Sequence, residues 1–342
     1  MSVGRRLARG IVTLLAGTAL LVILALRVDD EVNWQVELLR YLPFPVFLLP
    51  SVVGLLASLW LGWVWRWLAL LTFVGVTTNI MGLVWGSADS GHGRLRVMTY
   101  NVKAYKAIDK PLSIASIAAE IVWHAPDILV MQDAGRFAGI GTKQLRELGV
   151  IPVGHEIVAL GQYVITSRYP LRNCYLGNMS FRNAAHQYMH CSVLVGERMI
   201  DVITPHFLSP RKGLNATRHE LWDGVDDWLE NYNDRLAQAH ALADVIASIQ
   251  RPLIVAGDLN APEQSPVVQK LIEVGLRDAY SNSAFGYGYT VGHALRPGVS
   301  LLRIDHILIS SELGVASAEV GGKLGSEHRP VIADLLLHRA ME

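Results

Sequence analysis

Two cysteines in 342 residues, Cys174 and Cys191, are too few for a disulfide framework or a cysteine-ligated zinc site. Both fall in stretches read as strands, where a cysteine is most simply a small buried apolar side chain, with one disulfide as the alternative. A dominant charge is lacking too. Lys plus Arg and Asp plus Glu number 30 each, so no net field draws the chain to nucleic acid or to an anionic membrane surface. That balance counts against a processive nucleic-acid binder, which carries a basic footprint. Charged residues make up only 18% of the chain, against 51% hydrophobic ones. With a mean hydropathy of +0.30 the chain is too apolar for an ordinary soluble domain, and the excess must be localised.

The excess lies in the first 86 residues, where three apolar runs span 11–26, 42–63 and 67–85. The second and third are long enough to cross ~30 Å of hydrocarbon as helices, and the first is at the lower limit. Trp60, Trp63, Trp65, Trp67 and Trp85 stand at their ends, where indole rings favour the lipid–water boundary. A cleavable signal peptide is the rival reading of the first run, with Arg5, Arg6 and Arg9 as its basic start. No small-x-small site precedes Val28-Asp29-Asp30, which favours an uncleaved helix. The connection that follows carries Asp29, Asp30, Glu31 and Glu37 against Arg27 and Arg40, while Arg66 lies between the second and third runs. The positive-inside rule then places the N-terminus and Arg66 in the cytoplasm, and three crossings leave the rest of the chain outside it. The expected organisation is three transmembrane helices over 1–86, a Gly/Ser/Asp linker over 87–93 and a globular domain over 94–342. The expected setting is a plasma or inner membrane, with the lipid bilayer as a partner.

In the globular part, several apolar runs end abruptly on a polar tip. Leu95–Asn101 alternates as a half-buried strand, Pro126–Asp133 reads as a buried one, and Tyr163–Ser167, Gln187–Leu194 and Met199–His206 follow. Ser113–His124 carries apolar residues at helical spacing, as do parts of a polar insertion over 208–250, which predicts one or two amphipathic helices there. Ile254–Ala256 leads into Gly257-Asp258-Leu259-Asn260, which sets a carboxylate and an amide on one face of a strand end. By itself this stretch reads equally well as an ordinary turn. Leu302–Ser310 and Val331–Leu337 complete the series. Strands whose polar tips share one edge, with helices between them, predict two sheets packed face to face and roofed by helices.

Met98-Thr-Tyr-Asn101, Gln132-Asp133, Ser167-Arg-Tyr-Pro170, Thr204-Pro-His206, Gly257-Asp258-Leu-Asn260, Arg303-Ile-Asp305-His306 and Ser326-Glu327-His328 occur in order. From about Arg94 to Leu337 the chain thereby resembles the endonuclease/exonuclease/phosphatase superfamily, the group of DNase I and the neutral sphingomyelinases. The resemblance implies a four-layered α/β sandwich, here preceded by an all-α transmembrane segment. It also implies a divalent-metal-dependent hydrolase of phosphoester bonds using Mg²⁺ or Mn²⁺, with Ca²⁺ suited to the same oxygen ligands. On that resemblance Asp133 and Glu327 are metal ligands with Asn101 beside them. Asp258 orients or deprotonates the attacking water, and Asn260 helps to hold it. His328 contacts the phosphate with its ring fixed by Asp305, and His206 is a second phosphate-facing imidazole. His306 is expected to point to the opposite face of its strand and pack. His186, His190, His219, His240 and His293 have no metal-ligand spacing, and Arg182 and Arg211 read as surface charge or as contacts to an anionic head group.

Two departures from the family pattern stand out. Asp133 replaces the usual Glu and Glu327 the usual Asp, one ligand a methylene shorter and the other a methylene longer, an exchange that could compensate around one ion. The function expected is a membrane-anchored phosphodiesterase acting outside the cytoplasm on a lipid head group. An extracytoplasmic nuclease is the alternative, and a degraded, non-catalytic membrane scaffold the third class. The sequence names no protein partner. Asn215-Ala-Thr217 matches a glycosylation triplet, a pattern common by chance.

Overall fold

A computed structural model describes residues 3–27, 33–42, 44–108, 111–182, 184–220, 224–292, 299–323 and 325–339. The chain divides into two units, Met1–Val84 with Phe285–Tyr287, and Trp85–Ala284 with Gly288–Glu342.

In the first unit the helices are α1 (Val3–Leu26), α2 (Trp34–Arg40), α3 (Leu48–Ser58) and α4 (Trp63–Gly75). Among the described residues α1 alone is long and apolar enough to cross a membrane by itself. Trp34–Arg40 with Pro45–Ser58 meets the same criterion only as a bent pair. The run 42–63, read as one helix, is instead a 3₁₀ turn at Phe44–Phe47, α3, and a turn before α4. Pro45 cannot donate a helical hydrogen bond, and Pro50 fits only within the first turn of α3, so the prolines set where that helix begins. The third run is shortened as well, since α4 passes into a π turn at Val76–Ile80. Asp29, Asp30 and Glu31 lie outside the described residues. Glu37 and Arg40, read as part of a connection, are on α2 and form a buried ion pair at 3.3 Å. Burial here is inverted relative to a soluble domain: Ala8, Val12, Leu61 and Ala69 form the contact between helices. Leu14, Leu21, Leu49, Leu56 and Leu71 face outward.

Among the described residues the second unit holds twelve strands that build its two large sheets: β1 (Gly91–Asn101), β2 (Ile128–Gln132), β3 (Glu156–Leu160), β4 (Tyr163–Ser167), β5 (Leu171–Asn178), β6 (Gln187–Val195), β7 (Arg198–Thr204), β8 (Leu253–Asp258), β9 (Arg277–Asp278), β10 (Asp305–Ile309), β11 (Gly314–Val320) and β12 (Val331–Arg339). They form two six-stranded sheets, ordered β11-β12-β1-β2-β4-β3 and β9-β10-β8-β7-β6-β5. Pairs β1–β2 and β7–β8 are parallel and the rest antiparallel. The alternation read from the sequence is what fills the space between the sheets: Leu95 and Val97 meet Cys191, Val193, Val202, Ile254 and Ile307 in one core. On the other face of the first sheet, Met98, Tyr100, Leu129 and Met131 pack against Ile114, Ile117 and Ile121 of α6 (Pro111–His124), which follows the one-turn helix α5 (Ala104–Ala107).

The insertion 208–250 forms α8 (Arg211–Glu220) and α9 (Gly224–Ala247), preceded in the chain by α7 (Thr142–Glu147) and followed by α10 (Pro266–Glu273) and α11 (Ala279–Ser283). Leu221 lies outside the described residues. Trp228, Tyr232, Leu236, Ala239 and Leu242 make the buried stripe of α9, at the spacing the sequence predicts. The stretch read as a linker is partly structured: β1 begins at Gly91, and the Asp89 carboxylate accepts hydrogen bonds from Arg277 at 2.5 Å and from the Val315 amide at 2.9 Å. Cys174 and Cys191, read most simply as free apolar side chains, are joined as a disulfide. The pairing depends on the β5–β6 register, which shifts between Arg172 and Tyr175 and so sets Cys174 across from Cys191. No single strand carries that information.

Candidate active site

Strand register brings the polar tips together. Asn101 pairs with Gln132 across β1 and β2, and Asp258 with Asp305 across β8 and β10. His206, two residues past β7, bridges to Asp258 from the other side. That approach requires Gly257, since a Cβ there would lie 2.2 Å from the Pro205 carbonyl oxygen. The close contact lets the Phe207 amide donate to the Asp258 carbonyl at 2.9 Å.

Asp258 is the hub and is fully buried. Its Oδ2 accepts a hydrogen bond from Asn101 Nδ2 at 2.9 Å and lies 3.5 Å from His206 Nε2 and 3.8 Å from His328 Nδ1. Its Oδ1 accepts from the Asn260 amide at 2.9 Å. The Asn260 side chain donates to the Phe207 carbonyl at 2.8 Å, and this residue adopts a positive φ of 50°, which asparagine tolerates better than most. His328 Nδ1 donates to Asp305 Oδ2 at 2.9 Å, so the other ring nitrogen is left for chemistry. The loop bearing Glu327 and His328 is fixed by Ser326 Oγ, which donates to the Asn101 carbonyl at 2.7 Å. His206 Nδ1 donates to Gln162 Oε1 at 2.7 Å, while its amide donates to the Tyr163 hydroxyl at 3.1 Å.

Electrostatics give these groups unequal tasks. Burial, helped by the nearby Asp305 charge, pushes the Asp258 carboxyl above the usual carboxylate range, although His328, His206 and Asn101 pull the other way. Burial lowers the His328 imidazole, yet Asp305 and Asp258 outweigh it and the result is raised above 6.5. One carboxylate is thus made more basic beside an imidazole made more ready to hold a proton.

The expected metal ligands lie on the open side. Asp133, just past β2 with φ 52°, and Glu327 each keep 21% of their side-chain surface exposed. The Lys103 ammonium stands 3.7 Å from Asp133 and 4.0 Å from Glu327, so both carboxylates face one cationic position. Lys106 also pairs with Glu327, and Arg211 approaches it at 3.7 Å. Hard oxygen donors converging on a point where a cation already sits fit Mg²⁺ or Mn²⁺. Asn101 is turned to Asp258 and, through Oδ1, accepts the Lys103 amide at 3.2 Å. Asp258, Asp305 and His328 also place three ligand-type atoms within 4.8 Å of one another. His328 and Asp305 are hydrogen-bonded, Asp258 lies 3.8 Å from the same ring nitrogen, and all three are buried.

The remaining candidates fall elsewhere. His306 turns away as alternation requires, bonding to Asp278 at 2.7 Å and to the Ala261 carbonyl at 3.0 Å. His190 bonds to Tyr175 and Asp201, and Arg182 to Glu230 and Asp234. His186 bonds to Gln238, and burial together with His206 lowers its pKa. His240 is on α9, the His219 side chain is not among the described ones, and His293 lies outside the described residues. Gln132, quoted in the sequence pattern without a role, donates to Thr204 at 2.8 Å and Thr99 at 3.0 Å, tying the two sheets beneath the site. Gln162, Lys103 and Lys106 were not legible as site residues: the first sits in a two-residue turn between β3 and β4, and neither lysine carries a sequence pattern of its own.

This fold and site define a phosphoester hydrolase. The sequence pattern of the Endonuclease/Exonuclease/phosphatase family matches residues 98–328, and the chain belongs to that family, whose members hydrolyse phosphoester bonds with divalent metals. No curated protein matches the chain significantly in sequence. Among solved structures, it is similar to a family member from Bacteroides vulgatus at 19% identity, with 72% of this chain and 100% of that one covered and a TM-score of 0.55. A mannosyl-6-phosphatase from Bacteroides thetaiotaomicron aligns at 16% identity over 71% and 99% of the two chains, with a TM-score of 0.53. Truncated Caenorhabditis elegans TDP2 aligns at 16% over 71% and 97%, with a TM-score of 0.52. At these identities the likeness concerns the fold.

Proposed function

We propose that the chain is a membrane-anchored phosphodiesterase, with its catalytic unit outside the cytoplasm and a lipid head group as its substrate. The observation that carries the catalytic part is the Asp258 cluster, a buried carboxylate made more basic by burial and held by Asn101 and the Asn260 amide. Asp258 takes the proton of the attacking water, and Asn260 fixes the carboxylate that receives it. His328, charged because Asp305 backs its Nδ1, donates from its other nitrogen to the phosphate, and His206 is oriented by Gln162 for a second such contact. Asp133 and Glu327, with the Asn101 amide nearby, would hold Mg²⁺ or Mn²⁺. That ion supplies neutralisation of charge on the phosphate and leaving oxygen. The two length changes at Asp133 and Glu327 compensate on this reading, since both side chains reach one point. The assembled cluster speaks against a degraded scaffold.

Two features support the setting. The outward apolar faces of the first unit suit a lipid environment, and a bilayer tether favours a substrate in the same bilayer. A disulfide persists outside the reducing cytoplasm. The test is turnover by the full chain in detergent, with Mg²⁺ or Mn²⁺, of sphingomyelin, phosphatidylcholine, a soluble bis-phosphodiester and plasmid DNA. Lipid turnover that chelation abolishes and Asp258→Ala lacks is expected. Cleavage of plasmid DNA in preference to every lipid would establish the nuclease reading. Equal, negligible rates for parent and variant on all four would end the catalytic one.

A further inference from the structure

The first unit contains a cavity of about 870 Å³ that the catalytic chemistry does not use. It opens between the start of α1 and the turn joining α3 to α4. Arg5, Arg9 and Arg66 line it, and among the described residues its lining includes no acidic one. Its remaining wall is apolar, with Leu7, Ile11 and Trp60. Two of the guanidinium groups are held in place. Arg9 stacks over the Trp65 ring at 5.5 Å, and Arg66 donates to the Leu59 carbonyl at 3.0 Å. Two helix starts reach the same space, through Gly4 of α1 and Gly62 at the head of α4. Neither helix has an acidic residue in its first turn, and among the described residues no side chain caps α4 at Gly62. Their positive dipole ends therefore add to the arginines.

Arg5 and Arg66 are exposed and Arg9 is half-buried, so the charges are open to an incoming group, and three of them beside an apolar wall match an occupant that is both anionic and amphipathic. A soluble anion would match the charges and leave the apolar wall wet. A phospholipid matches both, its phosphate at the guanidinium groups and its chains along Leu7, Ile11 and Trp60. The positions of these arginines agree with this occupant. Arg5 and Arg9 precede the apolar stretch of α1 and Arg66 lies between two other apolar runs, yet all three gather at one end of the helices. That is where positive residues meet the head groups of the cytoplasmic leaflet.

We infer that this cavity is a binding site for an anionic phospholipid head group, distinct from the catalytic site and occupied from the leaflet on the N-terminal side. The inference rests on the membrane-embedded reading above, and its test separates the two. Full-length protein is first extracted with alkaline carbonate. Release from the membrane overturns both readings, and retention supports the embedding. The retained protein is then placed in nanodiscs of phosphatidylcholine with phosphatidylglycerol, and the lipid kept through purification is counted by native mass spectrometry. Retention of phosphatidylglycerol over phosphatidylcholine by about a hundredfold is expected, as three charges near the surface warrant. The Arg5→Gln/Arg9→Gln/Arg66→Gln variant should lose that preference, and the corresponding triple lysine variant should keep most of it. Equal retention of both lipids by the parent overturns the head-group site while leaving the embedding intact, as does a preference undiminished in the glutamine variant. A melting-temperature rise with inorganic phosphate matching that with phosphatidylglycerol overturns the lipid as occupant in favour of a free anion.

Discussion

Two carboxylate–imidazole groups stand back to back on β10, and they have opposite characters. On one face Asp305 backs His328 beside a second buried carboxylate, Asp258. On the other, His306 bonds to Asp278, which also receives Arg303 at 2.8 Å, while Arg303 pairs in turn with Glu263. Asp258 and Asp278 are both carboxylates with almost no exposed surface. Burial raises both, but at Asp278 the charge of Arg303, the hydrogen bond and charge of His306 and the Ser281 amide reverse it, and the carboxyl ends well below the usual range. At Asp258 a like charge adds to burial and the carboxyl ends above it. The neighbours of Asp278 answer its charge, whereas that of Asp258 is left partly unanswered, which on the proposed reading suits it to accept a proton.

The largest expected effect separates the faces directly. Asp258→Asn should lower kcat/KM by about 10³-fold or more, as loss of a general base does, with the melting temperature unchanged or raised because a poorly compensated buried charge is removed. Asp278→Asn should do the reverse. It leaves Arg303 and His306 without their shared carboxylate, and a loss of about 3–5 kcal/mol in denaturant unfolding is expected, with kcat of the folded fraction within a few-fold of the parent. If both variants lose activity and stability in the same proportion, the contrast between the faces is void.

An intermediate effect probes the open side of the site. Asp133→Glu and Glu327→Asp should each weaken Mg²⁺ or Mn²⁺ binding by about tenfold, and the pair together should recover most of it. Calorimetric titration of the metal reads this without turnover. Additive losses would show that the two side chains do not share one ion.

How much of this could be read beforehand follows from which residues carry their own signal. Asn101, Asp258 and Asp305 lie at ends of apolar runs, so period and punctuation placed them, and the order of the short motifs implied a shared edge. Helix α9 was legible from its stripe. The short or irregular strands β3, β5 and β11 were not, because their mixed exposure or, in β5 and β11, a register shift blurs the alternation. Lys106 approaches Glu327 from 221 residues away, and Lys103 faces the carboxylates from a turn residue with φ 43°, so neither contact has a local signature. The membrane runs misled for a related reason: composition alone measured their length, and the proline-marked start of α3 and the π turn after α4 shortened the helices themselves.

A third imidazole sharpens the comparison at the smallest scale. His155 is buried, bonds to Thr166 at 3.2 Å and, among the described residues, has no carboxylate hydrogen-bonded to its ring, so burial and the Arg168 charge outweigh the more distant Asp127 and lower its pKa to about 4, where His328 is raised. The sign follows from proton counting. Between about pH 6.5 and about pH 4 the unfolded chain binds a proton at this position that the native chain does not, so stability falls as pH drops through that window and is insensitive to the group above it. After allowance for solvent screening, about 1–2 kcal/mol is at stake. Urea unfolding of the parent and of His155→Asn, whose amide can keep the bond to Thr166, should give stabilities that converge by about this amount as the pH is lowered from neutrality to about pH 4. Parallel curves would mean that His155 titrates as a solvated histidine, and that a carboxylate neighbour is not what separates it from His328.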